Sequence, residues 1–537
     1  MQRSTQLFAR WVVFGASILF PLEANARIAS TDAPLRGLSD PARADLITCV
    51  DGSGSCVTLV AASIDGASVF SAAELSSSYV QYLARPVSAD DVARIADAIT
   101  HRYRDAGYFL SRAVVARFGD DGVAQISVFE GRISDFTIEG SGAGQVRRFM
   151  RGFDTRAPAR LADLDRRLAL AADTPGLSLQ SRIEPDPEDL TRHRLIITAT
   201  LRPITISAAF DNHGSESVGP WQGSVRVAAN SLLREGDQAG LAVYTTPLST
   251  DEFSSAEAFY SLRFANGARL GATIAASRAH DGNENASFGA DGDARAAGVI
   301  LELPLLRRRN RGLWVSGAFD ALHIERDWTS GGYEDDLRVA RLALRGLLNE
   351  QGSSTTVFVQ TSFGLDVLGA SGASATRRSR IDADARFAKV DFHLAHYRDL
   401  GAHFGLYVSV DGQWTNEPLL LSEEFELGGL PYGRAYRYGE ISGDRGIAGS
   451  IELRAGFDPE LDPISFVQGY AFVDAGQVWN LGPDPYSNAL ASSGVGLRVT
   501  LNEHVRAGFE LARPLTRTPD DADDHDWRQF FSVSAWY

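Results

Sequence analysis

Hydrophobic residues recur with two different periods along this chain, and the period changes near residue 203. Before that point, helical and strand spacings alternate. Ser88 to Ala106, "SADDVARIADAITHRYRDA", places Val92, Ile95, Ala96, Ile99 and Tyr103 on one helical face. Ser88 stands where an N-cap belongs, Asp91 follows three residues on, and Gly107 supplies the stop. Ahead of this helix lie the strand-like run "VTLVAASIDG" and a helix candidate near Ala72 to Leu83; "YFLSRAVVARF" and "GVAQISVFEG" follow it. The order is strand, helix, helix, strand, strand. It recurs with "GRISDFTIEG", helices at Gly144 to Arg151 and Leu161 to Ala172, then "LSLQSRIEP" and "RLIITATLRP". Residues from about Val57 to Pro203 therefore read as two copies of one small α+β module, each near the lower size limit for an independent core.

From Ile204 onward the period is two. "ITISAAF" alternates Ile204, Ile206, Ala208 and Phe210 against Thr205, Ser207 and Ala209, and "FGLYVSV" sets Phe404, Leu406, Val408 and Val410 against Gly405, Tyr407 and Ser409. Each run has an apolar and a more polar face. A transmembrane strand takes about ten residues and its loop a similar number, so roughly sixteen strands fit between 204 and 537. In lipid such strands satisfy their backbone only as a closed barrel; a soluble sandwich or propeller is the competing architecture. The last run, "FSVSAWY", puts Phe531, Val533, Ala535 and Tyr537 on one face and ends on an aromatic, as outer-membrane barrel strands do.

Composition narrows the classes. The chain has 537 residues and a formal charge of −16, which argues against a nucleic-acid partner. Lys389 is its single lysine. Arg3 and Arg10, the apolar stretch Trp11 to Phe20 and the small-residue site Ala24-Asn25-Ala26 read as an export signal. Beyond it no apolar run is long enough for a membrane helix. The only two cysteines, Cys49 and Cys56, flank the turn-like "VDGSGS". In an oxidising compartment they suit a small disulfide; the alternative is two free thiols. No histidine cluster accompanies them, so no zinc site is expected. "GSGAG" at Gly140 to Gly144 lacks the Lys-Ser/Thr ending of a phosphate loop and reads as a turn. The run "DDADDHD" reads as a solvated loop, with a calcium site as its rival. No catalytic constellation, cofactor motif or metal site emerges.

Counted back from Tyr537, connections alternate long and short: "RPLTRTPDDADDHD" long, "LNEH" short, "QVWNLGPDPYSNA" long, "DPELDP" short. The next long one lies within "FELGGLPYGRAYRYGEISGDRGIAGSIELRAGF", Phe425 to Phe457, between the fifth and sixth strands from the end. In a sixteen-stranded barrel it is the sixth outward loop.

With these features the chain resembles the Omp85 superfamily. Within it, the chain is similar to the transporters of two-partner secretion, the hemolysin and filamentous-hemagglutinin exporter type (ShlB/FhaC/HecB). "HRYRDAGYFLSRA" and "VFEGRISDFTIEG" look like the end of a first POTRA module and its join to a second. The resemblance implies a signal peptide (1–26), an N-terminal extension holding the cysteines (27–56), POTRA 1 (57–131), POTRA 2 (132–203) and an outer-membrane barrel (204–537) whose sixth loop (425–450) folds into the lumen. It implies a Val-Arg-Gly-Tyr-like tetrad at the loop tip. Gly433, Arg434, Ala435 and Tyr436 stand there, with Gly433 in place of valine and Ala435 in place of glycine; Gly443, Asp444 and Gly446 follow. Alanine tolerates positive φ poorly, so the tip's backbone is in question. The arginine's implied partner is the acid of a Phe-x-Asp-x-Gly segment on the wall, here Phe472, Asp474 and Gly476. Period two puts Gln468, Tyr470, Phe472 and Asp474 on one face, expected to be the lumen, and a guanidinium can grip a carboxylate through two parallel hydrogen bonds.

The implied activity is transport without covalent chemistry and without a cofactor. An unfolded exported partner, a large β-helical adhesin or cytolysin, is recognised by the POTRA modules and passes through a monomeric, lipid-embedded barrel to the cell surface. The alternative is an assembly factor of the same superfamily, which inserts other barrels; those usually carry three or more POTRA modules, and two are counted here. A passive porin would lack the modules and the tetrad.

Overall fold

The computed structural model describes residues 56–214, 219–248, 252–280, 290–483 and 485–537. The export signal, the stretch 27–55 and Cys49 lie outside them, while Cys56 is disulfide-bonded. The described residues fall into two compact units: 56–172 with 177–200, and 201–537 with the turn 173–176.

The first unit holds two modules of the same topology. In one, strands β1 (Val57–Thr58) and β2 (Ala61–Asp65) lead to helix α1 (Ala72–Ser76). The short β3 (Pro86–Val87), helix α2 (Ala89–Asp105), β4 (Arg112–Phe118) and β5 (Val123–Phe129) follow. In the other come β6 (Arg132–Glu139), α3 (Ala143–Met150), α4 (Leu161–Ala172), β7 (Leu177–Pro185) and β8 (Arg192–Leu201). The sheets are ordered β2-β5-β4 and β6-β8-β7, and in each the first strand pairs parallel with the last. The first and last strands can lie parallel because the chain crosses back through helices between them.

The apolar face read from the sequence makes the first core. Val92, Ile95, Ile99 and Tyr103 of α2 are fully buried against Leu59, Leu75 and Ile126. Ser88 and Asp91 form the N-terminal capping box, and Gly107 ends the helix at φ +90°. The expected helix at Ala72 to Leu83 is broken: α1 stops at Ser76, and one 3₁₀ turn, Val80–Tyr82, follows. The serine run explains this. Ser76 and Ser77 donate their hydroxyls back to the carbonyls of Ala73 and Glu74, competing with helical bonds. Glu130 closes the module's sheet end, accepting from the Ser68 and Val69 amides at 2.8 Å each and from the Tyr103 hydroxyl at 2.6 Å. The turn at Gly140–Gly144 joins β6 to α3; Gly142 donates to the Ala199 carbonyl.

The second unit is a closed antiparallel barrel of sixteen strands. In chain order the first eight are β9 (Ile204–Asp211), β10 (Gln222–Asn230), β11 (Asp237–Thr245), β12 (Phe253–Arg263), β13 (Arg269–His280), β14 (Asp291–Arg307), β15 (Arg311–Trp328) and β16 (Gly331–Glu350). Then come β17 (Ser353–Gly364), β18 (Phe387–Gly401) and β19 (Phe404–Thr415). Two short strands, β20 (Phe425–Leu427) and β21 (Ile441–Gly443), lie between β19 and the wall strand β22 (Arg445–Phe457). The wall ends with β23 (Ile464–Asn480), β24 (Tyr486–Leu501), β25 (Val505–Pro514) and β26 (Arg528–Trp536), and β26 pairs with β9 to close the ring.

Alternation along the wall is inverted relative to a water-soluble protein. Leu241, Ile274, Leu342, Ile451 and Val473 point outward, each more than half exposed, while Glu302, Arg341, Glu452, Asp474 and Glu510 are buried. An apolar outer belt over a polar interior is what a barrel in lipid requires. One expected long connection is short: "QVWNLGPDPYSNA" continues the β23–β24 ladder through Trp479↔Ser487 and Asn480↔Tyr486, leaving only 481–485 as loop.

Candidate functional site

The long segment between β19 and β22 is the one whose function the sequence raises. Its middle forms a small hairpin, β20 paired with β21, which packs on the inner wall of β22, β23 and β24. Two glycines permit that approach: a Cβ at Gly446 would sit 1.9 Å from the Phe425 ring, and one at Gly476 would sit 2.5 Å from Leu427. Gly443 closes β21 and is itself buried. Phe425, Leu427, Tyr432, Ala435, Tyr436 and Ile441 of the loop share an apolar cluster with Tyr470, Phe472 and Leu490 of the wall.

At the tip, the left-handed residue is Gly433, at φ +87°, rather than Ala435. The alanine therefore costs the tip no backbone strain, and glycine stands where positive φ is needed. Arg434 is 5 % exposed and stacks over the Phe472 ring, 4.0 Å from its centroid. Its hydrogen bonds depart from expectation. The terminal nitrogens donate to Glu452 at 2.9 Å, Glu510 at 3.3 Å and Ser450 at 3.3 Å. Asp474 forms an ion pair with Arg434, its carboxylate 3.6 Å from the Nε, without the two-bond fork. The reason is occupancy: one Asp474 oxygen already accepts from the Gly433 amide at 2.7 Å and the Ser492 hydroxyl at 2.6 Å. Asp474 thus holds the tip's backbone and pairs more loosely with the guanidinium, whose hydrogen bonds go to the two glutamates and Ser450. Tyr436 donates its hydroxyl to the Ala491 carbonyl at 3.0 Å.

Other charged groups fix the rest of the loop. At its entry, Glu423 meets Arg341 of β16 at 2.7 Å and Lys389 of β18 at 2.8 Å. Arg341 also reaches Asp320 of β15 at 2.9 Å. Near the exit, Asp444 is fully buried and accepts from the Leu419 amide, the Leu481 amide and Arg380, at 2.6, 2.6 and 2.7 Å. Arg380 comes from the β17–β18 connection and also binds Glu424 at 2.7 Å, so Asp444 ties three loops together.

The acidic run after β25 departs from its solvated reading. Asp521 pairs with Arg437 at 2.9 Å and with Arg528, and the Asp520 amide donates to Glu440 at 2.8 Å. Arg437 of the lumen loop and Arg528 of β26 recruit Asp521, while Asp520, Asp523, Asp524 and Asp526 stay exposed. Among the described residues, His323, Glu334 and Asp336 bring ligand atoms within 4.8 Å of one another. The Arg338 guanidinium already lies 3.4 Å from Asp336, so that charge is offset without an ion.

Sequence reasoning missed Arg341, Glu423, Glu452, Glu510 and Arg380. Glu452 and Glu510 carry a signal, since both occupy the buried parity of strands with apolar outward neighbours. Arg380 and Glu423 lie in connections, where no period marks them.

Comparison with known proteins places this architecture. The family model described as haemolysin secretion/activation protein ShlB/FhaC/HecB matches residues 195–499, and the ShlB-type POTRA domain model matches 58–131. The outer membrane transporter CdiB of Dickeya dadantii is 24% identical over 495 residues, covering 87% of this chain and 85% of its own length. The heme/hemopexin transporter protein HuxB of Haemophilus influenzae is 21% identical over 472 residues, 84% of this chain and 82% of its own. Among solved structures, CdiB from Escherichia coli superposes with a TM-score of 0.73 at 22% identity, covering 91% of this chain and 92% of that one.

Proposed function

The chain belongs to the haemolysin secretion/activation protein family ShlB/FhaC/HecB, and from that membership we propose how it handles its cargo. It is a two-partner secretion transporter of the outer membrane, with a POTRA region in the periplasm, and it acts on a secreted partner protein. The division that fits this role is a signal peptide (1–26), an extension (27–56), two POTRA modules (57–131 and 132–203) and a barrel (204–537), working as a monomer embedded in lipid. The partner arrives unfolded, as a large β-helical adhesin or cytolysin. It adds a strand to an open edge of a module sheet, where main-chain bonding gives affinity with little demand on sequence. β2 and β4 are edges of the first sheet, and β6 and β7 of the second. No covalent step is involved. Folding at the surface gives direction.

The lumen loop is the control element. What supports this is the burial of Arg434 inside the barrel, bound to acids of the wall on β22 and β25; a chain cannot pass until that contact moves. Arg434→Ala is expected to lower secretion at least tenfold while leaving a protease-resistant barrel; secretion at the parental level would remove the loop tip from the mechanism. Deleting the gene should trap one large secreted protein in the periplasm. Normal export in that strain, with other outer-membrane barrels misassembled, would favour the assembly-factor role instead.

A further inference from the structure

The lumen loop is held at its tip and at its entry, and the two holds differ in polarity and in how fully their groups are hydrogen-bonded. At the tip, each wall acid has a second partner that belongs to the wall. Glu452 accepts from Arg454 at 2.6 Å and Arg498 at 2.8 Å, Asp474 from Ser492 at 2.6 Å, and Glu510 from the Tyr470 hydroxyl at 2.8 Å. Withdrawing Arg434 leaves three acids that remain hydrogen-bonded, two of the cluster's three arginines still in place. At the entry the arrangement is reversed. The loop supplies the acid, and the wall supplies two buried cations. Arg341 would keep Asp320 and the Ser362 hydroxyl; Lys389 would keep the neutral Gln413, with Asp391 at 3.8 Å. Removing Glu423 would break two buried ion pairs at once, of 2.7 and 2.8 Å, a larger penalty than separating an exposed pair.

The backbone reinforces the difference. Lys389 and Gln413 both donate to the Glu423 carbonyl at 2.9 Å, and Gln413 donates again to the Asp444 carbonyl at 3.0 Å. Leu419 and Leu420, just ahead, are completely buried among Leu337, Val339 and Phe387. At the tip the Arg434 Nε, the second Asp474 oxygen and one Glu510 oxygen are buried without a well-formed hydrogen bond; at the entry the Ser422 hydroxyl is.

We propose that Glu423, gripped by Arg341 and Lys389, is the standing anchor of the lumen loop. It is a positioning residue for transport, about which the loop swings when Arg434 leaves the wall. The inference rests on the reading that this loop yields to cargo, and it assigns a task to the chain's single lysine.

Cysteine reporters test it on the full chain in intact cells, with a membrane-impermeant maleimide as probe and the parental chain, with its native cysteines, as background. Ala435→Cys reports the tip and Ser422→Cys the residue beside the anchor. Each is then combined with Arg434→Gln, after protease resistance has shown the barrel to be folded. Losing hydrogen bonds to a charged group should raise Ala435→Cys labelling roughly tenfold and leave Ser422→Cys within about twofold. Glu423→Gln should in turn raise Ser422→Cys labelling. A loop that comes away whole, with both reporters rising together in the Arg434→Gln chain, overturns the anchor. So does a Ser422→Cys reporter that ignores Glu423→Gln. None of these readouts needs cargo, so a failure of the transport reading, seen as unchanged secretion in Arg434→Ala, stays separate from a failure of the anchor.

Discussion

The first POTRA module and the barrel bury opposite things. In the module the fully buried side chains are Leu75, Ile95, Ile99 and Ile126; in the barrel's interior they include Asp444, Glu452, Asp474 and Ser492. Outward, the barrel shows Leu241, Ile274 and Ile451 where a soluble sheet would show charge. The same alphabet is therefore read by two solvents. Water drives apolar groups to the module's centre. Lipid accepts them on the barrel's rim, which leaves the lumen free to be lined by charge. That is why a loop held by buried ion pairs sits in the second unit and not the first.

The largest way to break this comparison is to hollow the module. Ile99→Ala removes a fully buried side chain from the face of α2, and such truncations cost about 2–5 kcal/mol. A domain this small has little reserve. The module should lose protease resistance and secretion should fall, while the barrel stays intact. Survival of the module's protease pattern would mean that its core does not depend on the α2 stripe.

Next in size is a charge placed on the barrel's outer face. Ile451 sits mid-strand in β22, opposite Val408 and Val473, and is 57 % exposed. Ile451→Arg should destabilise the barrel by about 2–4 kcal/mol if that position lies near the bilayer midplane. Ile451→Ser should cost clearly less. Unfolding in urea from lipid vesicles measures both; equal, small effects would place the residue against water and undo the inside-out assignment.

The period of the hydrophobic pattern made most of this architecture readable. Alternation is a local signal, and it gave both the strands and the face of Asp474. Capping chemistry at Ser88 and Gly107 was readable for the same reason. What resisted was everything set by distant partners. That Arg434 would hydrogen-bond Glu452 and Glu510 and meet Asp474 as a looser ion pair goes with Ser492 and Gly433 filling one Asp474 oxygen, and no spacing reveals that. Asp521 looked solvated because Arg437 and Arg528, which draw it in, lie outside the acidic run. Arg380 sits in a connection with no period and still joins three loops.

The smallest effect separates the two units by pH. Glu130 closes the first module, outside the membrane. Burial tends to raise its carboxyl, but hydrogen bonds from Ser68, Tyr103 and the Val69 amide outweigh that and hold it below its ordinary value of 4.5. The sign follows from the depression. A carboxylate whose folded pKa lies below its unfolded one contributes stability that is fully present above the unfolded value and is lost as pH falls through the folded value. Glu130 is partly exposed, so screening keeps its contribution small, under about 1 kcal/mol. Hydrogen exchange at the Ser68 and Val69 amides in the full chain, corrected for intrinsic rates, should show protection holding down to about pH 4.5 and fading below it. Glu130→Gln keeps the shape but cannot ionise, so its protection should be weaker at neutral pH and flat across the same window. A parental profile as flat as that of the variant would mean that the carboxylate's charge does not hold this end of the module.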